Sequence, residues 1–233
     1  MAYGSKYYKH SKKYAYGMYK KLPPYDVMVR RGIQTARLIN DIHQIKQRLN
    51  TEKKYVDVVN ISDYTGTFDV ANGTDHAAQR CFTDCVQGTD NNERIGRQIK
   101  VLNCKVRCGV RYNAAGPASQ LARMIVIQDY AAETSTNIQS LNDVLQDSSN
   151  VRSFLKLDET RQNRVLYDKY IKLDAEHDYK ELNLNRKMAS KISYTGTGAT
   201  SRGKGAILLF MITDAATNGP TYSMQSRVRF VDN

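Results

Sequence analysis

The chain has 233 residues, of which 41% are hydrophobic, enough for the core of one large domain with tails. Its net charge at pH 7 is +12, and no window approaches the roughly 18 consecutive apolar residues of a membrane span. The N-terminal residues are basic but lack an apolar segment. We therefore expect neither a secretory signal nor membrane insertion.

The positive charge is concentrated near the N-terminus. Residues 1–53 contain 12 Lys and Arg against three acids, a balance of +9, whereas residues 54–233 contain 23 against 20, a balance of +3. Such asymmetry is typical of a chain that binds a polyanion. It indicates either a nucleic acid or an anionic membrane surface as the partner.

Residues 1–25 combine lysine and tyrosine without an acid, and we predict that they form a disordered arm. Lysines supply phosphate contacts that are independent of base sequence, and tyrosine rings offer faces on which unpaired bases stack. Because a duplex hides its base faces, this composition favours a single-stranded partner; a merely soluble tail is the alternative. The arm residues predicted to bind nucleic acid are Lys6, Tyr7, Tyr8, Lys9, Lys12, Lys13, Tyr14, Tyr16, Tyr19, Lys20 and Lys21.

Residues 26–52 show the periodicity of an amphipathic helix. Asp26 is a suitable N-cap, and apolar residues then recur every three or four positions. Arg30, Arg31 and Arg37 lie largely off the apolar stripe. Two interpretations remain open: an ordinary helix that packs on the domain, and a helix whose basic face binds nucleic acid.

From residue 53 onwards, the pattern changes to short β-branched and apolar runs separated by Gly, Asn, Asp, Ser and Thr. Eight such runs with connections of unequal length predict an all-β domain over 53–233, a single eight-stranded jelly roll of two antiparallel sheets. A short helix is predicted near Leu141 to Leu145. The predicted strands are 54–61, 79–86, 98–112, 121–129, 164–173, 180–193, 205–213 and 222–231.

Five segments carry a family resemblance, and in chain order they read NTEKKYVDV, QGTDNNERIGRQIKV, RVLYDKYIKLD, GAILLFMITD and SRVRFVD. They resemble the capsid proteins of circovirus-like, circular Rep-encoding single-stranded DNA (CRESS-DNA) viruses. The most specific parts are QGT-x4-RIG-x2-I at 87–99 and VLYDKYIKL at 165–173. The arm departs from that family, in which arginine dominates.

The resemblance implies a jelly-roll capsid protein that self-assembles as a homo-oligomer, in about 60 copies, around a circular single-stranded DNA genome. It places the protein in the virion, with assembly in the host nucleus as a hypothesis; a host receptor and nuclear import machinery are not identified. Plant satellite-virus capsids share the fold class, so an RNA genome is an alternative. A non-assembling β-domain that binds single-stranded nucleic acid and a lectin-like module are two others.

Period-2 alternation assigns the side chains of each predicted strand to two faces. In a jelly roll, strand 98–112 lies between 180–193 and 222–231. A phase slip in 98–112 predicts a β-bulge near Val101–Leu102, with Leu102 and the even-numbered residues after it facing inwards. The outward cations form a predicted phosphate-binding surface without a neutralising acid, although an ordinary solvated face is the alternative. This surface, the basic face, consists of Lys105, Arg107, Arg111, Lys187, Lys191, Arg227 and Arg229.

Strands 121–129 and 205–213 are apolar on both faces. A sheet with one solvated face alternates, so these strands need cover on the side away from the core. The N-terminal helix and a neighbouring subunit are the favoured candidates. A long loop is the alternative.

Four cysteines form two CxxxC pairs, Cys81 with Cys85 and Cys104 with Cys108. Structural zinc usually requires closer spacing and a histidine. The absence of a secretory signal argues against a disulfide. Buried apolar thiols are therefore favoured, with a zinc site and a disulfide as alternatives.

The chain offers little to support catalysis. GATSRGKG at 198–205 nearly matches a phosphate-binding loop, but Gly205 replaces the hydroxyl residue and a predicted strand follows in place of a helix. The four histidines lack metal-ligand spacing. We therefore predict no catalytic residue, cofactor or metal.

Overall fold

The computed structural model describes residues 34–42, 45, 53–73, 80–132, 138–156 and 162–232. The chain forms two compact units, Met1–Thr51 and Glu52–Asn233. In the first, residues 34–42 are helical (α1), inside the predicted helix. Among the described residues, no helix is long and apolar enough to cross a membrane.

In the second unit, the described residues form ten strands and one short helix. Its elements are β1 (Lys53–Val56), β2 (Asn60–Thr67), β3 (Asp69–Val70), β4 (Arg80–Cys81), β5 (Gln98–Arg111), β6 (Ser119–Asp129), α2 (Leu141–Val144), β7 (Asn163–Asp174), β8 (Tyr179–Ser193), β9 (Ala206–Thr213) and β10 (Thr221–Asp232).

These strands form two five-stranded sheets. The first has the order β1-β10-β5-β8, with β2 also paired to β10, and the second has the order β3-β9-β6-β7, with β4 also paired to β9. Every pair is antiparallel except β3 with β9. This arrangement confirms the predicted jelly roll, with β5 between β8 and β10.

Six of the eight predicted strands agree with observed strands to within two residues at each end. The predicted strand 54–61 is divided into β1 and β2. The predicted strand 79–86 is wrong beyond Cys81, because the chain there turns away from the sheet. Thr83 fixes the turn: its hydroxyl accepts a hydrogen bond from the Ile207 amide and lies 3.2 Å from the Cys81 thiol.

The main core lies between the two sheets and follows the alternation of the strands. Val106 of β5 and Val228 of β10 are buried there with Met124 of β6 and Leu209 of β9. Complete burial of a side chain of this size contributes about 1.5–3 kcal/mol relative to leaving it exposed. This burial fixes the register of β5 and β10, because a shift by one residue would turn their cations inwards.

The predicted β-bulge is confirmed. Opposite β10, the register of β5 shifts between Val101 and Asn103, so Leu102 is the extra residue. Leu102 is half-buried and Val101 is buried. The expected inward position of Leu102 is therefore wrong, because the bulge takes this residue out of the alternation.

A second core covers the other side of β6 and β9. Phe210 of β9 and Ile125 of β6 pack there with Leu141 and Leu145 from the segment 138–156. A long loop carrying α2 thus supplies the cover that the two-sided apolar strands require. The alternative of a long loop is therefore confirmed for the described residues, in the place for which the N-terminal helix and a neighbouring subunit were the favoured candidates.

The cysteines are free and buried, which confirms the favoured interpretation. Cys104 and Cys108 belong to the main core, whereas Cys81 lies in the second core. Burial raises the pKa of the Cys81, Cys104 and Cys108 thiols to about 12 and that of Cys85 to about 11. All four therefore act as small apolar side chains at neutral pH.

Candidate nucleic-acid interface

The basic face lies on the first sheet, on the side away from the core. Its members come from β5, β8 and β10, and all seven side chains are exposed. Alternation places them there because Cys104, Val106 and Cys108 between them are buried against the second sheet. The structure therefore brings the seven predicted residues onto one surface.

Strand register places cations directly beside one another on this surface. Lys105 lies opposite Arg227, and Lys100, which the sequence assignment omitted, lies opposite Lys191. Opposed residues of an antiparallel pair have Cβ atoms about 4.5–5.5 Å apart, and like charges at such positions destabilise the sheet. An anion bound above the two pairs would relieve that cost.

One member of the basic face is neutralised by an acid. Asp57, between β1 and β2, accepts two hydrogen bonds from the Arg227 guanidinium, at 2.6 Å from Nε and 2.7 Å from Nη2. The hydrogen bond from Arg227 lowers the pKa of Asp57 below its ordinary value, against the opposing effect of desolvation. The Arg227 guanidinium also lies 4.8 Å from the centre of the Tyr55 ring.

The Asp57–Arg227 pair corrects the expectation of a surface without a neutralising acid. The partner comes from a connection between strands, so alternation within the strands gave no sign of it. In the described part of the chain, no carboxylate lies within ion-pair distance of the other six members. The face therefore keeps a clear excess of positive charge.

A depression of about 460 Å³ lies on the basic face. Lys105, Arg107, Arg227 and Arg229 line it, together with Gln225 and Ser226 of β10, Asp57 and Val59 of the β1–β2 connection and Asn60 of β2. Asp57 pairs with Arg227, but the other three cations have no acidic partner among the described residues and suit a phosphate group, which Arg and Lys contact without regard to base sequence. Towards one side, Arg229 lies opposite Asn103, which lies opposite Lys187.

The N-terminal members of the predicted site are not tested by the described residues. Arg37 lies in α1 with an exposed side chain. The other N-terminal residues lie outside the described ranges: Lys6, Tyr7, Tyr8, Lys9, Lys12, Lys13, Tyr14, Tyr16, Tyr19, Lys20, Lys21, Arg30 and Arg31.

The segment QGT-x4-RIG-x2-I has a structural role centred on Arg94, which is fully buried. Its guanidinium donates to the backbone oxygens of Cys85 (3.0 Å), Gly96 (2.7 Å) and Gly196 (2.5 Å). It also lies 4.0 Å from the centre of the Tyr194 ring. Arg94 thus joins the segment 85–96 to the loop before β9 and has no exposed surface for a ligand.

The segment VLYDKYIKL also has a structural role in the described chain. Asp168 accepts hydrogen bonds from Nε (2.7 Å) and Nη2 (2.8 Å) of the buried Arg123. The same guanidinium donates through Nη1 to the backbone oxygens of Val151 and Ser153. The pair therefore anchors the covering segment 138–156 to the second sheet.

The segment that nearly matches a phosphate-binding loop is a packed connection. The Arg202 guanidinium donates two hydrogen bonds to the Asp84 carboxylate, at 2.7 and 2.6 Å. The Gly205 amide donates to the backbone oxygen of Asp129 at 2.6 Å. Gly205 has a φ of +94°, a conformation that favours glycine. The segment leads into β9, as predicted, and lacks the helix N-terminus of a phosphate-binding loop.

Among curated proteins, no relative of this chain is found. Three solved structures similar to it come from viral particles. A structure titled Desmodium yellow mottle tymovirus is 10% identical, with a TM-score of 0.34, over 78% of this chain and 87% of that chain. A Kashmir bee virus virion at acidic pH is 12% identical, with a TM-score of 0.30, over 78% and 68%. A 60-mer BFDV capsid protein is 11% identical, with a TM-score of 0.23, over 78% and 89%.

TM-scores this low carry no argument about this chain, and its family rests on a separate match. The family model of the satellite tobacco necrosis virus coat protein matches residues 31–233. That range includes both sheets, the covering segment and every member of the basic face. The chain belongs to the satellite tobacco necrosis virus coat protein family, and it is a structural protein of a virion.

Proposed function

We propose that this viral coat protein assembles into a small icosahedral shell of about 60 copies and packages circular single-stranded DNA through its arm, Arg30, Arg31, Arg37 and the basic face. Membership of a coat protein family accounts for the shell. The observation that carries the packaging proposal is the set of outward cations on one side of the first sheet, where Lys105 lies opposite Arg227 and Lys100 opposite Lys191, and where Arg227 alone has an acidic partner among the described residues.

Phosphate binding supplies the energetic reason for keeping such pairs. A cation that contacts a phosphate releases a condensed counterion, and affinity then falls with salt by a slope of about −0.7 per contact for single strands. The like-charge cost in the empty sheet is repaid in the same step. A face built this way binds nucleic acid without regard to sequence, as a genome container requires.

The choice of DNA rests on the resemblance of residues 87–99 and 165–173 to circovirus-like capsid proteins. Assembly in the host nucleus belongs to the same proposal. The second candidate is a satellite-virus-like particle that packages RNA, and the match to the satellite tobacco necrosis virus coat protein family favours it. Both candidates use the same phosphate-binding surface.

The test starts from the full chain, purified without denaturant and examined for closed particles by negative-stain microscopy. Sixty copies of 26.5 kDa give a protein shell of about 1.6 MDa, which native mass spectrometry of emptied particles measures. Intact particles are treated with nuclease, and the protected nucleic acid is then extracted and digested with DNase and, separately, with RNase. Circular nucleic acid that only DNase degrades supports the proposal, and nucleic acid that only RNase degrades supports the second candidate.

If the chain stays monomeric at every salt concentration and yet coats single strands, the proposed shell assembly is contradicted. That result would favour a non-assembling single-strand-binding domain. Closed particles that contain no nucleic acid after nuclease treatment would support shell assembly and contradict the packaging role.

A further inference from the structure

A second depression, the tyrosine pocket, lies beside the basic face. Its volume is about 170 Å³, and its lining includes Tyr64, Tyr179, Arg107, Glu181, Ser223 and Gln225. Tyr64 and Tyr179 meet edge to face, with ring centres 6.5 Å apart and planes at 77°. Two aromatic rings thus lie within reach of a phosphate-binding surface.

Gly109 provides the room beneath the two rings. A Cβ atom at this position would lie 3.0 Å from the Tyr179 hydroxyl and 3.1 Å from the Tyr64 hydroxyl. A side chain on this central strand would therefore push the tyrosines away. Gly109 also interrupts the outward cations of β5, and both Gly109 and Arg107 line the pocket.

The backbone holds Tyr64 over the sheet in an unusual conformation. Asp63 and Tyr64 have φ angles of 55° and 54°, which residues other than glycine rarely adopt. The register between β2 and β10 shifts at this point, and the Thr65 hydroxyl closes the turn on the Ser62 oxygen at 3.0 Å. Strained residues of this kind concentrate at binding sites.

Arg107 and Arg111 lie beside the ring pair, and Glu181 lines the same pocket. The Arg111 guanidinium lies 4.4 Å from the centre of the Tyr64 ring, which fixes the ring by a cation–π contact. Arg107 lines both the tyrosine pocket and the depression of the basic face. A strand whose phosphates lie on Lys105 and Arg107 therefore passes the open side of the rings, and Tyr179 is 49% exposed there.

We propose that the tyrosine pocket binds an unpaired nucleobase of the packaged strand, by stacking on Tyr64 or Tyr179, while the adjacent basic face holds the phosphates. This inference rests on the proposed packaging function. It adds a folded site that recognises bases to a surface that recognises charge alone. Since paired bases hide their faces, the pocket selects single strands over duplexes.

The test compares two probes of equal phosphate count, fluorescein-labelled (dT)20 and a 20-mer of abasic sites, on the full chain at fixed salt. Tyr64→Leu and Tyr179→Leu each remove one ring, and Tyr64→Phe and Tyr179→Phe are the matched controls. Since the arm is present in every variant, its own tyrosines contribute equally. Fluorescence anisotropy gives each dissociation constant, and circular dichroism checks folding.

Each Leu variant is expected to bind (dT)20 roughly fivefold or more weakly, with abasic binding unchanged and the Phe controls within about twofold of the parent. Unchanged (dT)20 binding, or equal losses on both probes, would overturn the pocket. If Tyr64→Leu does not fold, the exposed Tyr179→Leu carries the test alone. A (dT)20 containing 5-bromodeoxyuridine should crosslink to Tyr64 or Tyr179 on irradiation, and crosslinks confined to other residues would contradict the site.

The triple variant Lys105→Gln/Arg107→Gln/Lys187→Gln separates this inference from the packaging proposal. Loss on both probes in the triple variant, with no specific loss in the Leu variants, would keep phosphate binding and reject base binding. Unchanged binding of both probes by the triple variant would instead reject the basic face. A specific (dT)20 loss in the Leu variants would still establish the pocket.

Discussion

Arg227 stands directly opposite Lys105 across β10 and β5, and among the described residues only Arg227 of these two has an acidic partner, the Asp57 carboxylate. The Asp57–Arg227 ion pair limits like-charge repulsion in the sheet and leaves most of its positive surface unchanged. Asp57 occupies one guanidinium, and Lys105 remains available to an external anion. Asp57 therefore competes with phosphate for Arg227.

Replacement of Asp57 by Asn should strengthen the binding of single-stranded nucleic acid. The change frees Arg227 and removes one acid, so we expect a salt slope steeper by about 0.7 on a single strand. Fluorescence anisotropy from about 50 to 200 mM salt measures it. The control is Glu176→Gln, which removes an exposed acid outside the basic face. Equal effects of the two changes would show that Asp57 acts only through the net charge of the protein.

The same pair predicts a pH dependence. Arg227 lowers the pKa of Asp57, so its stabilising contribution is present above the ordinary value of 3.8 and is lost as the pH falls through the lowered pKa. The advantage of Asp57→Asn in binding should therefore stay constant from about pH 5 to 8. A gain that disappears at pH 6 would show that another group controls Arg227.

Arg123 should be essential for the covering segment. Arg123→Met leaves Asp168 and the oxygens of Val151 and Ser153 without their donor, and breaking a buried pair costs about 3–5 kcal/mol. Urea denaturation should show a loss of about that size. The control, Arg164→Met, changes an exposed residue of neighbouring β7 and should shift the free energy of unfolding by less than about 0.5 kcal/mol.

The four cysteines should be unreactive in the folded protein. Thiols with a pKa of about 11 or 12 are almost wholly protonated at pH 8, and burial blocks access as well. Ellman's reagent should detect no rapid reaction in the native state and four thiols in denaturant. Fewer than four without reductant would reveal a disulfide, and a rise on adding a chelator would reveal bound metal.

The tyrosines of the arm should favour single strands. Changing Tyr7, Tyr8, Tyr14, Tyr16 and Tyr19 to Ser should weaken binding to (dT)20 more than to a duplex, because only unpaired bases offer their faces. A variant with five arm lysines changed to Gln is the comparison, since it should lose affinity for both. An equal loss of affinity for both probes in the tyrosine variant would show that the rings do not stack on bases and only space the lysines.

Alternation was sufficient to predict the faces of β5 and β10. Val106 and Val228 between charged neighbours leave only one orientation that buries the apolar side, so the exposed positions of Lys105 and Arg227 followed from the sequence. The same alternation before the bulge directs Lys100 outwards, between Ile99 and Val101, although Lys100 was not among the predicted residues.

Contacts between distant segments were beyond the sequence pattern. Asp57 and Arg227 are 170 residues apart, and nothing local distinguishes Asp57 from other aspartates. The turn at Thr83 ended a strand that its apolar residues had favoured. The segment that covers β6 and β9 could have been predicted from the sequence. Leu141 and Leu145 share one face of a short helical segment, and that face needed an apolar partner.

If the proposed function is right, the basic face, more than charge elsewhere on the domain, binds the genome. The most direct measurement is nucleic acid per assembled particle, from the absorbance ratio of purified particles, for Lys105→Gln/Arg107→Gln/Lys187→Gln. Its matched control is Arg164→Gln/Lys169→Gln/Lys172→Gln, which removes the same residue types from exposed positions of β7. We expect the first variant to lose its nucleic acid and the second to retain it. Equal cargo in both would contradict this expectation.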